Sequence, residues 1–264
     1  MLFTIGVASF AVIGTGAAPA RAAVQGQEVQ YTAGGVTLKG YAAWDDAIAG
    51  RRPGVLVVHE WWGHTEYARR RARMLAELGY VGLALDMYGD GKTAAHPEDA
   101  GKFAAEVMKN ADVMKGRFLA ALDYLKSMPQ TDPGRVAAIG YCMGGGVVLN
   151  MARAGLDLRG VASFHGSLGA LFTAQPGGVK AKVLVMNGAD DIYTTAEQIA
   201  ALKKEMADAG ADFRFINYPG AKHSFTNPEA DEFAKKFGMA VAYNADADRL
   251  SWEELKGFLS AVFK

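Results

Sequence analysis

The sequence predicts an α/β protein with a mostly parallel central sheet and helices on both of its faces. Short runs of strand-forming residues alternate with stretches whose apolar residues recur at helical spacing, an order typical of parallel βαβ units. The runs Pro53–His59 and Val81–Met87 are almost continuously apolar, as expected of strands buried on both faces. With 264 residues and 50% hydrophobic content, the chain is suited to one domain with a large core.

The individual elements follow from periodicity and from the glycines and prolines that separate them. The first two strands are expected to form a hairpin, because a Gly-Gly pair joins them. The predicted strands are Val29–Ala33, Val36–Ala43, Pro53–His59, Val81–Met87, Val136–Ile139, Gly160–Phe164, Lys182–Asn187 and Asp212–Tyr218. The predicted helices are Tyr67–Leu78, Pro97–Met128 (one long or broken helix), Gly145–Arg153, Ala196–Ala209 and Trp252–Phe263.

The N-terminus has the pattern of a leader. Residues 2–20 carry no charge and are mostly apolar, and Ala20-Arg21-Ala22 resembles a signal-peptidase site, although no Lys or Arg precedes the apolar run. We expect residues 1–23 to be a signal peptide or leader and residues 24–264 to form the single domain. Cleavage would make the protein periplasmic or secreted; without it the protein would be cytoplasmic. The alternatives are an uncleaved membrane anchor and a disordered leader. No other stretch is long and apolar enough to span a bilayer.

Composition excludes several classes of function. Lys+Arg 28 against Asp+Glu 28 gives a formal net charge of 0, and no basic run suggests a nucleic-acid partner. A single cysteine cannot form an internal disulfide, and with scattered histidines it forms no zinc site. No cofactor and no metal are predicted. The oligomeric state is not predicted.

The segment Val136–Val148 contains the most informative motif. Gly140-Tyr141-Cys142-Met143-Gly144 has the form G-x-C-x-G between a predicted strand and a predicted helix. In this context G-x-S-x-G forms a nucleophile elbow, here with sulfur in place of the hydroxyl. A helix N-terminus also favours a thiolate. The alternative is a small buried cysteine before a helix that packs closely through its glycines.

Matching partners follow two later strands. Asp190 and Asp191 come after the strand that ends at Asn187, and His223 comes after the strand that ends at Tyr218. Parallel strands bring such residues to one edge of the sheet, where ligands bind. The order nucleophile, acid, histidine is the one expected of α/β-hydrolases. Taken singly, Asp191 could instead cap a helix and His223 could be a surface residue.

These motifs together resemble the dienelactone hydrolase family of α/β-hydrolases, from about Val36 to the C-terminus. The matching segments are G-Y-C-M-G-G at 140–145, G-A-D-D at 188–191, A-K-H-S-F at 221–225, H-E-W-W-G at 59–63 and L-D-M-Y-G at 85–89. The resemblance implies that Cys142 is the nucleophile, His223 the base and Asp191 the residue that orients the imidazole. Asp190 remains an alternative to Asp191. It also implies an α/β-hydrolase fold and a small ester or lactone substrate.

Two backbone N–H groups are expected to form the oxyanion hole. Met143 follows the nucleophile directly, and Trp61 lies in the loop after the Pro53–His59 strand. Glu60, at the end of that strand, must find a partner or be protonated. The resemblance implies that Glu60 holds the resting thiol and takes its proton when substrate binds. The alternative is a salt bridge to an arginine such as Arg70.

The other histidines have weaker claims to function. His59 is interpreted as structural, because it should point away from the site along its strand. No convincing partner is apparent for His64, His96 or His165.

The sequence departs from its relatives where the substrate should bind. The family member that hydrolyses dienelactone holds its carboxylate with two arginines, and the matching positions here are Asp90 and Asn227. Lys92 is a possible substitute, but an ammonium lacks the bidentate fit of a guanidinium. Dienelactone itself is therefore not expected as the substrate. Aromatic residues are instead expected to line a pocket for a neutral ester, lactone or thioester, and each could equally be core packing; they are Trp61, Trp62, Tyr88 and Phe225.

Three functions are compatible with these features. The favoured one is a carboxylic-ester or lactone hydrolase that uses a Cys-His-Asp triad and an acyl-cysteine intermediate. The second is an acyltransferase or thioesterase on the same triad. The third is a non-catalytic protein whose Cys142 responds to oxidants, although the chain has no second cysteine to act as a resolving partner.

Overall fold

The structure, a computed structural model, describes Met1 and residues 24–264. Its eight-stranded sheet has the order β1-β2-β4-β3-β5-β6-β7-β8. The strands are β1 (Val24–Ala33), β2 (Val36–Asp45), β3 (Arg52–Val58), β4 (Val81–Leu85), β5 (Thr131–Tyr141), β6 (Gly160–Phe164), β7 (Lys182–Gly188) and β8 (Phe213–Tyr218). The helices are α1 (Glu66–Glu77), α2 (Pro97–Met108), α3 (Ala111–Ser127), α4 (Met143–Arg153), α5 (Ala196–Asp208), α6 (Ala230–Phe237) and α7 (Ala245–Val262).

The predicted fold class is confirmed. Strands β3 to β8 pair in parallel, whereas β1 pairs antiparallel with β2, and β2 pairs antiparallel with β4. Side chains of β3 alternate between two apolar clusters: Leu56 and Val58 pack in one, and Val55 and Val57 pack in the other. Helices α2 to α5 contribute to the first cluster, while α1 and α7 contribute to the second. Burial on both faces explains why β3 is apolar at consecutive positions.

Some boundaries differ from the prediction for local reasons. Strand β1 begins at Val24 rather than Val29, because its first residues pair with β2 while remaining largely exposed at the sheet edge. Of the two forms predicted for residues 97–128, one long helix or a broken one, the structure has the broken form, with the break at Lys109 and Asn110. The Asn110 side chain accepts hydrogen bonds from the first N–H groups of α3, so it starts a new helix. Asn244 caps α7 in the same way, and that helix therefore begins before Trp252.

The parallel arrangement determines where the loops meet. The chain leaves β3, β5, β7 and β8 at the same edge of the sheet, so the segments after Val58, Tyr141, Gly188 and Tyr218 lie at that edge. Along the described part of the chain, no helix combines the length and apolar character needed to cross a membrane. The predicted leader lies outside the described residues except for Met1, so it and the domain start at residue 24 stay predictions.

Candidate active site

Cys142 lies at a sharp turn between β5 and α4. Its backbone has φ 53° and ψ −117°, a region that non-glycine residues rarely occupy. Close backbone contacts hold this turn. A Cβ on Gly140 would collide with the backbone of Gly144, and a Cβ on Gly144 would collide with the carbonyl oxygens of Val58 and His59. Only glycine fits at these two positions, because any side chain would clash with neighbouring backbone, as is typical of a nucleophile elbow.

His223 lies between Cys142 and Asp191. Its Nε2 is 3.1 Å from Cys142 Sγ, and its Nδ1 is 2.7 Å from Asp191 Oδ2. The second carboxylate oxygen of Asp191 accepts the N–H of Tyr193 at 2.8 Å, which fixes the carboxylate. The side chain of Asp191 is fully buried, whereas Asp190 is exposed. Of the two adjacent acids, Asp191 is thus the one that contacts the imidazole.

The surroundings of His223 favour its charged form. Burial opposes the imidazolium, but negative charge at Cys142 and the hydrogen bond to Asp191 outweigh burial, so the pKa of His223 is raised well above its usual value. An imidazolium beside sulfur stabilises a thiolate electrostatically. The arrangement can therefore hold an ion pair that consists of a nucleophile and a proton donor.

The two predicted oxyanion donors lie on the same cleft. Met143 is the first residue of α4, so its N–H has no acceptor within the helix. Trp61 and Met143 line the cleft together with Cys142. The hydroxyl of Tyr88 donates a hydrogen bond of 2.8 Å to the carbonyl oxygen of Trp61 and thereby holds the loop after β3 in place. Both residues thus border the cleft beside the thiol, and the role of their N–H groups as an oxyanion hole stays a prediction.

The cleft has two lobes that meet at Cys142 and His223. One has a volume of about 260 Å³ and the other about 190 Å³. Trp61, Cys142, Tyr193 and His223 line both. The larger lobe is completed by Ala104, Met108, Met143, Gly166, Ser167 and Thr194. The smaller lobe is completed by Ser224, Met239 and Val241. No group of three or more His, Cys, Asp or Glu residues suited to a metal ion occurs within residues 24–264.

Glu60 is buried beneath the histidine loop. Its carboxylate accepts hydrogen bonds from Asn227 Nδ2 at 2.6 Å and from Ser224 Oγ at 3.1 Å. Burial raises its pKa, although these donors and the nearby positive charge of His223 oppose the rise. Neither the expected contact with the Cys142 thiol nor the alternative salt bridge to Arg70 is among the hydrogen bonds and ion pairs of the described residues. Glu60 instead holds the chain that follows His223.

His165 has partners that sequence analysis missed. Its Nδ1 accepts the N–H of Cys142 at 3.2 Å, and its Nε2 lies 2.7 Å from the hydroxyl of Thr226. Burial, reinforced by the positive charges of His223 and Arg71, lowers the pKa of His165 well below its usual value. A neutral imidazole can accept at Nδ1 and donate at Nε2. The expectation that His165 has no partner is wrong. Its position directly after β6 was the available signal.

The remaining histidines stabilise the fold. His59 Nδ1 lies 2.6 Å from the carbonyl oxygen of Glu60, and its Nε2 accepts the N–H of Met87 at 3.2 Å, in keeping with a structural role. His64 Nε2 donates to the carbonyl oxygen of Ala84 at 3.1 Å, and burial lowers its pKa to about 4. His96 caps α2. The expectation that His64 and His96 lack partners is therefore also wrong.

Three aromatic residues predicted to bind substrate lie outside the cleft lining. Trp62 is buried against Phe233 and Phe237, and Phe225 is fully buried beside His165. Tyr88 is buried and braces Trp61 from behind. These side chains face neighbouring elements of the fold, which the one-dimensional pattern could not distinguish from a pocket. The aromatic residues that line the cleft are Trp61, which was predicted, and Tyr193, which was not.

The positions that match the arginines of the dienelactone-hydrolysing enzyme also lie outside the cleft lining. Asp90 sits in an exposed turn with φ 53°, and Asn227 is buried against Glu60. Lys92 is not a lining residue of either lobe. Neither lobe is lined by a lysine or an arginine of the described chain.

The mostly parallel sheet and the turn at Cys142 define an α/β-hydrolase fold. Within this class, the sequence profile described as "Dienelactone hydrolase family" matches residues 38–263. The chain belongs to the dienelactone hydrolase family, whose members are hydrolases of ester bonds that act on small esters or lactones.

Individual relatives agree with this assignment. The chain is 28% identical over 211 residues to a putative carboxymethylenebutenolidase of Aquifex aeolicus, a match that covers 78% of this chain and 90% of that protein. It is 34% identical to a dienelactone hydrolase-like promiscuous phosphotriesterase from metagenomic libraries, with a TM-score of 0.84 over 92% of this chain and 100% of that one. The structure called m3DLH is 35% identical, with a TM-score of 0.86 over 91% of this chain and 99% of that one.

Proposed function

We propose that the protein hydrolyses small carboxylic esters or lactones through an acyl-cysteine intermediate on Cys142. The observation that carries the proposal is the continuous contact from sulfur to carboxylate. Cys142 Sγ lies 3.1 Å from His223 Nε2, and His223 Nδ1 lies 2.7 Å from Asp191 Oδ2. These distances are within hydrogen-bond reach for a nucleophile, a base and an orienting acid.

Acylation begins when the Cys142 thiolate attacks the substrate carbonyl carbon. A C–S bond forms, and the carbonyl electron pair moves to oxygen, which accepts hydrogen bonds from the N–H groups of Trp61 and Met143. The C–O bond to the leaving group then breaks. The imidazolium of His223 gives its Nε2 proton to the departing oxygen, so an alcohol leaves and a thioester remains. Asp191 keeps the other ring proton on Nδ1 throughout.

Deacylation uses water as the second nucleophile. His223, now neutral, takes a proton from water as the water oxygen attacks the thioester carbon. The C–S bond breaks, the carboxylic acid leaves, and the thiolate is restored beside an imidazolium. The thioester sulfur carries no charge, so in this step the hydrogen bond to Asp191 is what favours the protonated ring of His223 as it accepts the proton.

The role of Glu60 as a switch that holds the resting thiol stays a prediction. Its contacts with Asn227 and Ser224 support a different role, in which it positions the loop that carries His223. The switch would act directly on the Cys142 thiol, whereas the positioning role would act on the thiol through the His223 imidazole.

The test is the hydrolysis of p-nitrophenyl acetate by the wild type, Cys142→Ala and His223→Ala. We expect each variant to lose at least about a thousandfold in kcat/KM, because residues that act as one unit are each required. Mass spectrometry of the wild type quenched during turnover should find an acetyl group on the peptide that contains Cys142. Undiminished activity in both variants would remove the mechanism.

Product analysis separates the alternatives. Release of acetate identifies a hydrolase, and an acetylated alcohol or thiol identifies an acyltransferase. To test for a thioesterase, the hydrolysis of an acetyl thioester is measured in parallel. A phosphotriester is a useful additional substrate, because one relative is described as a promiscuous phosphotriesterase. A thiol that only responds to oxidants could be acetylated once by the activated ester, but it would release no more than one equivalent of p-nitrophenol per Cys142.

A further inference from the structure

Cys142 and His223 line both lobes of the cleft, but main-chain contacts join each lobe to a different one of these two residues. We call the larger one the Met108 lobe and the smaller one the Met239 lobe, with the linings given above. In the Met108 lobe, the N–H of Ser167 donates to the carbonyl oxygen of Cys142 at 3.2 Å. In the Met239 lobe, Val241 forms a parallel bridge with His223, and the N–H of Ala242 donates to the carbonyl oxygen of His223 at 3.2 Å. Main-chain hydrogen bonds thus connect the Met108 lobe to Cys142 and the Met239 lobe to His223.

The chemistry requires a different part of the ester at each of these residues. The carbonyl carbon bonds to Cys142 Sγ, and its oxygen faces the N–H of Met143, which also lines the Met108 lobe. The leaving oxygen must lie near Nε2 of His223, because that nitrogen supplies its proton. The group attached to the leaving oxygen therefore extends along the side of the cleft that His223 and its bridged neighbour Val241 form.

The lining also restricts charge and size. Apart from Cys142 and His223, neither lobe is lined by an ionisable side chain other than Tyr193. A substrate carboxylate would lose water there without gaining a cationic partner beyond His223, whose charge is already paired with Cys142 and Asp191. Volumes of about 260 and 190 Å³ are each below the range of roughly 300–1,000 Å³ that is typical of sites for drug-sized ligands. Each lobe is suited to a short group.

We propose that the substrates are neutral esters with short apolar groups on both sides, and that the Met108 lobe binds the acyl group while the Met239 lobe binds the leaving group. This inference rests on the proposed function. Ala104 and Met108 then determine acyl specificity, and Met239 and Val241 determine leaving-group specificity.

The first test narrows each lobe separately. Ala104→Phe should lower kcat/KM for p-nitrophenyl hexanoate relative to p-nitrophenyl acetate by about tenfold or more, because a filled pocket rejects added methylenes. In the same variant, the ratio of kcat/KM for 1-naphthyl acetate to kcat/KM for p-nitrophenyl acetate should change by less than about twofold, because these two esters differ only in the leaving group. Met239→Trp should instead lower the kcat/KM ratio of 1-naphthyl acetate to p-nitrophenyl acetate and leave the hexanoate-to-acetate ratio nearly unchanged. A reversed pattern, or equal effects of both variants on both ratios, would overturn the assignment.

The second test measures deacylation alone, since the leaving group is absent from the acyl-enzyme. In single turnovers with p-nitrophenyl hexanoate, Ala104→Phe should change the deacylation rate and Met239→Trp should leave it within about twofold of the wild type. The opposite result would overturn the assignment. Gly101→Ala is the matched control in α2, because a Cβ there meets nothing within 4 Å. Ala104→Leu and Met239→Phe replace either variant whose far-UV circular dichroism and melting temperature differ from the wild type.

The third test concerns charge. The p-nitrophenyl monoester of succinic acid and p-nitrophenyl valerate differ chiefly by a carboxylate at the end of the acyl group. We expect the anionic ester to have a kcat/KM at least about tenfold lower, since desolvating a carboxylate without a partner is costly. Equal turnover would overturn the neutral-substrate class. If one of these three tests fails but an acyl adduct forms on Cys142, the substrate assignment is wrong and the proposed function still holds. If no adduct forms, the proposed function itself is wrong.

Discussion

The two halves of the site are held together in different ways. The thiol half, residues 140–145, is held by main chain packed against main chain, and a Cβ on any of its glycines at 140, 144 or 145 would strike a neighbouring segment. The imidazole half, which comprises Asp191 and residues 223–227, is held by side-chain hydrogen bonds to distant parts of the chain. Glu60 bonds Ser224 and Asn227, while Tyr67 and His165 bond Thr226.

This difference separates a local from a distributed design. The thiol half is one run of six residues, and its glycines allow distant main-chain segments such as Val58–His59 to pack directly against it. The imidazole half depends on partners more than fifty residues away in sequence, as the 159-residue separation of Tyr67 and Thr226 illustrates. We therefore expect added atoms to disrupt the thiol half and lost hydrogen bonds to disrupt the imidazole half.

The largest expected effect concerns the two adjacent acids. Asp191→Asn should lower kcat/KM for p-nitrophenyl acetate by about 10³–10⁴-fold, because an amide can stabilise the wrong tautomer and cannot support the imidazolium. The pKa of His223 should fall as well, since the hydrogen bond to Asp191 raises it. Asp190→Asn is the matched control, because its side chain is exposed, and it should retain activity. Kinetics across pH measure both effects; equal losses in the two variants would contradict the assignment.

The next effect tests the thiol half by adding one methyl group. Gly144→Ala places a Cβ against the carbonyl oxygens of Val58, the last residue of β3, and of His59, which follows it; the central strand cannot move easily. We expect about a hundredfold loss of kcat/KM together with a lower melting temperature. Gly101→Ala adds the same methyl group to α2 where nothing lies within 4 Å, and it should stabilise the protein slightly. Wild-type activity in Gly144→Ala would show that close packing is not what holds the elbow.

The same distinction explains what could be predicted of the fold. The order of strands and helices was visible because apolar periodicity is a local property. The early start of β1 was not predicted, and the helix over residues 97–128 was predicted as long or broken without the position of the break, since a side-chain cap and an exposed edge pairing leave little trace in the hydrophobic pattern. The parallel sheet followed from the alternation of elements.

In the candidate site too, residues that belong to sequence motifs were predicted, and residues that act through tertiary contacts were missed. Cys142, Asp191 and His223 were identified from motif and order, and the structure brings them into contact. The roles of His165 and Tyr193 were missed, because their contacts depend on loops from different strands. Trp62, Tyr88 and Phe225 could not be separated from pocket residues for the same reason, whereas Trp61 lines the cleft as predicted. An aromatic residue next to a motif can face either the cleft or the core, and only packing decides between them.

A smaller effect is expected from removing one hydroxyl in the imidazole half. Thr226 Oγ1 lies 2.7 Å from His165 Nε2 and 2.6 Å from the Tyr67 hydroxyl, and the residue is fully buried. Thr226→Val leaves these groups without their partner, at a cost of about 1–3 kcal/mol. We expect that loss in urea unfolding and about a tenfold loss of kcat/KM as the loop of His223 shifts. Thr226→Ser keeps the hydroxyl and should recover most of both. Equal losses in Ser and Val variants would point to the methyl group instead.

The smallest effect is a change in how stability depends on pH. Burial raises the pKa of Glu60 in the folded protein above its unfolded value. The native state therefore binds this proton more tightly, and the stabilisation is complete below the ordinary pKa of a glutamate and is lost as pH rises through the folded pKa. Glu60→Gln removes the titration, and its amide can donate to Ser224 while its oxygen accepts from Asn227.

The unfolding free energy of the wild type relative to Glu60→Gln should thus decrease as pH rises above about 4.5, by at most about 1.4 kcal/mol per pH unit. Urea unfolding of both proteins between pH 4 and pH 8 measures it. Glu77→Gln is the control, because the side chain of Glu77 is exposed at the end of α1. A difference that grows in the opposite direction would mean that the donors and the charge of His223 outweigh burial, and that Glu60 holds the histidine loop as a carboxylate.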